Sequence, residues 1–158
     1  MTIALFPGSF DPFHNGHLEI AERASRLFDG LVVAVVRNPQ KGEPLFDVDE
    51  REAMIAESLA HLGSVRIVAM SVLVVEVALE VGADVIIKGL RAVSDFENEL
   101  QMAQMNQHLS GIETLFLPTS SAHSFVASRL IREVVRYGGD VSEFVPPPVA
   151  SRLKELRP

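Results

Sequence analysis

The 158-residue chain contains no cysteine, which excludes a disulfide framework and thiolate chemistry. Positive charge is scarce. Fourteen Lys and Arg stand against 21 Asp and Glu, a formal net charge of −7. That balance argues against broad binding to nucleic acid or to a membrane surface, both of which need a basic face. Small anionic ligands stay open, because Arg37, Lys41, Lys88 and Arg91 all fall at loops where they can build a local positive pocket. No apolar run is long enough to span a bilayer. The N-terminus lacks the basic-then-apolar layout of a signal peptide. Low-complexity tracts, internal repeats and linkers are also missing. These absences fit a cytoplasmic protein with one domain over 1–158, and a hydrophobic content of 47% supplies a sizeable core.

Strand-like and helix-like segments alternate along the chain. Thr2–Phe6 and Leu31–Val36 are short continuous apolar runs, the pattern of strands buried on both faces. Between them Leu18, Ala21, Ala24 and Phe28 mark one face of a helix, which Gly30 is expected to close. Asp47 or Asp49 caps a second helix running to about Leu62. Further strands are expected at Val65–Met70, Ala83–Lys88 and Thr114–Leu117, with helices at Val72–Val81, 94–109 and Ser124–Tyr137 and a short one after Pro146-Pro147-Pro148. Met102, Met105 and Leu109 recur at helical spacing and read as core or interface packing. The series is a doubly wound α/β fold, a parallel sheet with helices on both faces. Ligands of such sheets bind beyond the carboxyl ends of the strands.

Two stretches at those ends carry chemistry. Gly8-Ser9-Phe10-Asp11-Pro12-Phe13-His14-Asn15-Gly16-His17 turns the first strand into the first helix. Backbone N–H groups at a helix start lack partners and favour anions. Imidazoles there add hydrogen-bond donors for phosphate. Lys88-Gly89-Leu90-Arg91, followed by Ala92-Val93-Ser94-Asp95-Phe96-Glu97-Asn98-Glu99, places two cations between a strand end and a helix start. Lys88 and Arg91 are suited to clamp phosphates. Asp95 either orients Arg91 or acts through water on Mg²⁺, and Glu99 accepts a bond from a base or ribose. His108 and His123 show no metal-ligand spacing, so no protein-held metal is expected. Ser120, Ser121 and Ser124 form no visible nucleophile–base set.

The first stretch resembles the His-x-Gly-His signature of nucleotidyltransferases related to class I aminoacyl-tRNA synthetases. Gly89-Leu90-Arg91-x3-Asp95-Phe96-Glu97-x-Glu99-x-Gln101, with Met105-Asn106 and His108 after it, resembles bacterial phosphopantetheine adenylyltransferases, and the likeness runs from Pro7 to Asp140. The resemblance implies a Rossmann-like nucleotidyltransferase fold and the reaction of ATP with 4′-phosphopantetheine to dephospho-coenzyme A and pyrophosphate, with Mg²⁺ as cofactor. By resemblance Ser9, Lys41 and Lys88 contact the phosphopantetheine phosphate, while Leu73, Val74, Asn106 and Glu133 line the pantetheine arm. Ser9, Phe10, His17, Gly89, Arg91 and Glu99 hold ATP, and Ser124, Phe125, Val126, Ala127, Ser128, Arg129 and Leu130 close over it. His17, Lys41 and Arg91 are the expected catalytic groups, and the 37–47 loop is expected to close over the substrates. The resemblance also implies a homohexamer and feedback by coenzyme A.

The chain departs from the family pattern at three places. His14 stands where the family usually has Thr, as in nicotinate mononucleotide adenylyltransferases, so that acceptor is the alternative substrate. Lys88 stands where Arg is also common. Val126-Ala127-Ser128-Arg129 replaces a serine-rich run, which keeps open a nucleotide-binding sensor without catalysis. Arg129 either contacts phosphate or faces solvent.

Overall fold

The computed structural model describes residues 1–37 and 42–156. Strands β1 (Ile3–Gly8), β2 (Gly30–Val36), β3 (Val65–Met70), β4 (Val85–Leu90) and β5 (Glu113–Pro118) alternate with helices α1 (Asn15–Leu27), α2 (Val48–Ser58), α3 (Val74–Val81), α4 (Val93–Ser110) and α5 (Ser128–Arg136). A 3-10 turn at Ser142–Phe144 leads to α6 (Pro147–Glu155). The strands pair in parallel in the order β3-β2-β1-β4-β5. Parallel neighbours need crossover connections, which the helices supply. The chain steps outward from β1 to β3, then returns to the other side of β1 to lay down β4 and β5. β1 and β4 are therefore neighbours, Leu5 opposite Ile86, and their ends open a crevice where the winding reverses.

Successive side chains of the strands serve opposite faces. Ala4, Phe6, Val33, Val35 and Ile87 meet Ile20 and Ala24 of α1, Ile55 of α2, Ile131 of α5 and Leu153 of α6. Leu5, Val32, Ala34 and Ile86 turn the other way onto Val75 and Ala78 of α3. Strands covered on both sides must be apolar at every position, hence the unbroken runs in β1 and β2. Each fully buried aliphatic residue, such as Leu5, contributes about 1.5–3 kcal/mol.

Several boundaries differ from the sequence expectation. Gly30 does not close α1. That helix stops at Leu27, and Gly30 opens β2, paired with Ile3. α2 ends at Ser58, four residues before Leu62, where the chain turns toward β3. α5 starts at Ser128, not Ser124, because 119–127 is held as turns against α1. Met102, Met105 and Leu109 of α4 are more than half exposed, and Asn106 is the buried residue of that helix, so the three do not belong to the core of this chain. Among the described residues no helix is long and apolar enough to cross a membrane.

Candidate active site

A cleft of about 750 Å³ opens where β1 and β4 end side by side. One wall is the β1–α1 turn. Phe10 takes a positive φ of 50°, a left-handed conformation unusual for a side chain with a Cβ. Its ring folds under Gly8, where a Cβ would lie 2.8 Å from the ring. There it packs edge-on against Phe6 and His17, at centroid distances of 5.2 and 4.9 Å. Phe10 thus acts as a buried prop beneath the site as well as part of its lining.

Three buried or half-buried polar groups fix that turn. The carboxylate of Asp11 accepts the N–H groups of Leu45 and Phe46 at 2.8 and 3.0 Å. Arg51, 4% exposed, donates through Nη1 to the carbonyls of Ser9 (2.7 Å) and Val36 (2.9 Å) and through Nε to that of Phe46 (3.1 Å). It joins the ends of β1 and β2 to the start of α2. Arg132 of α5 donates to the carbonyl of Asp11 at 2.6 Å.

His14 and His17 cap α1 with their side chains. Nδ1 of His14 accepts the N–H groups of Gly16 and His17 at 3.0 and 3.4 Å, and Nδ1 of His17 accepts the N–H of His14 at 3.2 Å. A Cβ at position 16 would come within 2.9 Å of the His14 ring, so glycine is needed for that approach. The rings stack with centroids 3.6 Å apart. Accepting through Nδ1 requires that each neutral ring carry its proton on Nε2. Burial, reinforced by the charge of Arg91 and of His123, lowers the pKa of His14 from 6.5 to about 3. Burial, then His14, Arg91 and Lys88, hold His17 well below its ordinary value. At neutral pH both are uncharged donors through Nε2–H. The same bonds spend the first N–H groups of α1, which the sequence had suggested were free for an anion.

The free helix ends lie opposite. α4 and α5 begin after Ala92 and Ala127, neither of which caps with a side chain. Ala92, Ser94, Ala127, Ser128 and Arg129 all line the cleft. Uncapped N–H groups and the positive ends of two helices there favour a polyanion. Arg91 stands between them. Asp95 grips its Nε and Nη2 at 3.1 and 3.4 Å, and Nη1 donates to the carbonyl of Val126 at 3.1 Å. Of the two roles open to Asp95, orienting Arg91 is the one the geometry supplies. Lys88 pairs with Glu99 at 3.5 Å.

The cleft thus gathers Ser9, Phe10, His17, Lys88, Gly89, Arg91, Glu99, Ser124, Phe125, Ala127, Ser128, Arg129 and Leu130. Val126 is buried behind it and offers its carbonyl to Arg91. The Ser128 hydroxyl donates to the carbonyl of Pro12 at 2.9 Å, so it buttresses the β1–α1 turn. Arg129 sits on the rim, largely exposed, 4.0 Å from Glu133. Leu73, Val74, Asn106 and Glu133 do not line this cleft. Leu73 is exposed just before α3, Val74 is half-buried at its start against the core beneath α3, and Glu133 borders a separate depression with Leu130, Val134 and Tyr137. Lys41 lies outside the described residues. Sequence reasoning missed Asp11, Arg51 and Arg132, whose partners are backbone groups remote in the chain. Arg51 gave one signal, its place three and four residues before Met54 and Ile55 on the buried face of α2.

Residues 5–134 match the cytidylyltransferase-like family model. A phosphopantetheine adenylyltransferase of Herpetosiphon aurantiacus is 53% identical over 98% of this chain and 94% of its own. One from a Synechococcus species is 54% identical over 99% and 98%, and one from Heliobacterium modesticaldum is 47% identical over 98% and 92%. Among solved structures, a protein described as a candidate nicotinate-nucleotide adenylyltransferase from Vibrio parahaemolyticus superposes with a TM-score of 0.68 at 18% identity, covering 98% of this chain and 99% of that one. That likeness speaks to the fold alone. Near-full-length identity at this level, on a nucleotidyltransferase fold whose strand ends carry both expected motifs, places the chain in the phosphopantetheine adenylyltransferase family.

Proposed function

We propose that this protein transfers the adenylyl group of ATP to 4′-phosphopantetheine, giving dephospho-coenzyme A and pyrophosphate. The observation that carries the reading is the adjacency of β1 and β4, which brings the imidazole of His17 and the guanidinium of Arg91 into one cleft between two uncapped helix ends. The reaction needs no protein nucleophile. The acceptor phosphate is already anionic at neutral pH and needs little help from a base. What it needs is two polyanions held in line and charge stabilised at the α-phosphate.

His17 meets that need as a neutral Nε2–H donor to the α-phosphate. Arg91, braced by Asp95, holds the departing pyrophosphate. Lys41 bridges the incoming phosphate and the α-phosphate, and Lys88 and Ser9 receive phosphopantetheine. Glu99 and the segment from Ser124 to Leu130 take the nucleotide. Leu73, Val74, Asn106 and Glu133, which lie outside the cleft, are assigned to the pantetheine arm on the family resemblance alone. Among the described residues no group of three or more acidic or imidazole side chains could hold a metal ion; Mg²⁺, if bound with the ATP phosphates, would offset their charge. A cytoplasmic location, a homohexamer and inhibition by coenzyme A belong to the same reading. The exposed apolar side chains of α4 support self-association.

His14 favours nicotinate mononucleotide as the rival acceptor. The test is pyrophosphate release from ATP and Mg²⁺ with either acceptor. Release with 4′-phosphopantetheine and none above background with nicotinate mononucleotide is the expected result. The opposite pattern transfers the assignment to the rival, and ATP binding without release from either acceptor leaves a sensor.

A further inference from the structure

The β5–α5 connection forms the wall of the cleft facing the two histidines. It contributes Thr119, Ser124, Phe125 and Ala127 to the lining, yet between β5 and Ser128 it has no regular structure beyond turns. Its internal bonds are local. The N–H of His123 donates to the carbonyl of Ser120 at 3.1 Å, and that of Val126 to the carbonyl of His123 at 3.0 Å. The hydroxyl of Ser124 donates to the carbonyl of Ser121 at 3.3 Å. Such bonds shape a turn but do not tether it to the body of the molecule.

Its ends are tethered. The N–H of Thr119 donates to the carbonyl of Leu90, and the carbonyl of Val126 accepts from Arg91. Between them, among the described residues, the hydrogen bonds from 120–125 to another element run to one side chain, Glu19 of α1. Its Oε1 accepts the N–H of Ser120 at 3.1 Å. Its Oε2 accepts both the Ser120 hydroxyl and Nδ1–H of His123, each at 2.7 Å. Arg23, one turn on, pairs with Glu19 at 3.4 Å and donates to the carbonyl of Pro118 at 2.5 Å. Phe125 adds an edge contact to Phe144. Partial burial pushes the Glu19 carboxyl up, but the bonds from His123 and Ser120 outweigh it and hold the group below its ordinary value. It is therefore ionised when it makes these contacts, and charge-assisted bonds of this kind are the strong ones.

Ser120, His123 and Glu19 are not a hydrolytic triad. Ser120 Oγ lies 3.4 Å from Nδ1 of His123, but both groups are 2.7 Å from Oε2 of Glu19; the hydroxyl donates there and Nδ1–H does too, so that nitrogen has no lone pair to take a proton from serine. The cluster is a tether. Glu19 sits two residues beyond His17 on one rigid helix, so the tether sets the distance from the imidazoles to the opposite wall.

We propose that Glu19 is a positioning residue for the nucleotide half of the cleft, locking the β5–α5 connection to the helix that carries both histidines. The inference rests on the adenylyl-transfer reading for its kinetic arm only. Ser9 after β1, Lys88 on β4, Leu73 and Val74 at the start of α3 and Asn106 on α4, all assigned to the acceptor, make no hydrogen bond to 120–125 among the described residues, and the proposal therefore predicts a split between the two substrates.

The test compares the parent with Glu19→Ala and Glu19→Gln in pyrophosphate release and in amide hydrogen exchange without substrates. In Glu19→Ala the KM for ATP rises about tenfold, equivalent to losing about 1.4 kcal/mol of binding, while the KM for 4′-phosphopantetheine stays within about twofold. Amides of 120–126 lose protection and those of the sheet keep theirs. Glu19→Gln falls between, because its amide still accepts from the Ser120 N–H but sets N–H against N–H at His123. Equal rises in both KM values overturn the proposal, as does unchanged exchange at 120–126. Should Glu19→Ala fail to fold, Ser120→Ala with His123→Phe removes the tether from the other side and must give the same local loss of protection. Should the parent release no pyrophosphate, the functional reading falls and the exchange arm still decides this one.

Discussion

Acid is expected to loosen this protein through His14, and the size of the effect follows from its burial. The ring is 3% exposed, accepts two backbone N–H groups and titrates near 3 when folded, against 6.5 in the unfolded chain. Above the unfolded value neither state binds the proton and the contribution to stability is complete. As pH falls below 6.5 the unfolded chain takes up a proton that the folded chain refuses, so stability drops until the folded ring titrates too. Moving from about pH 7.5 to about pH 5 costs about 2 kcal/mol through this one group, and the loss approaches about 4 kcal/mol near pH 3. His17, also held well below its ordinary value, adds to the loss with the same sign. The perturbation is His14→Asn, because asparagine caps a helix through its carbonyl oxygen and does not titrate. Urea unfolding of parent and variant at the two pH values reads the contribution of His14 together with its coupling to the stacked His17 ring, while groups remote from the pair cancel. The variant is expected to lose about 2 kcal/mol less than the parent. Equal losses in the two proteins would mean that the folded ring takes up its proton in step with the unfolded one, and the claim that burial refuses the proton at His14 would fall.

Replacing His17 by alanine removes a donor whose interaction grows with charge at the α-phosphate. Turnover should fall roughly 10²-fold or more with a smaller change in the KM for ATP, read by steady-state kinetics, and turnover within a few-fold of the parent refutes the role. Arg51→Met leaves the carbonyls of Ser9, Val36 and Phe46 without their donor, and urea unfolding should show a loss of about 3 kcal/mol or more. Asp47→Ala breaks the capping box in which Asp47 and Glu50 take each other's N–H groups, and should cost about 1 kcal/mol in the same assay without altering turnover.

The parallel α/β plan was legible because its signals are local. Val65–Met70 reads as a strand and is one to the residue, and the apolar runs of β1 and β2 announce burial on both faces. The two motifs were legible for the same reason, and the sheet order brings them together as the connection rules predict. What escaped was long-range. Nothing in the sequence near Glu19 indicates that its partners lie at Ser120 and His123, 101 and 104 residues away. The spacing of Arg51 to Met54 and Ile55 puts it on the apolar face of a helix, but only the fold shows its partner to be the carbonyl of Ser9, 42 residues before it. The start of α5 was misread because helical periodicity continues into 124–127, where tethering to α1 and the carbonyl given to Arg91 override propensity. The serine expected to meet the nucleotide, Ser128, is engaged with Pro12.

An imidazole is an uncommon choice for the cap that precedes a helix, where aspartate, serine or asparagine stabilise more. Aspartate at position 14 would make α1 sturdier and would also put a fixed negative charge against the approaching phosphates. The demands on that position conflict. A protein engineer selecting for heat resistance should therefore find carboxylate replacements at residue 14 that raise the melting temperature and abolish turnover together, a trade-off confined to one side chain.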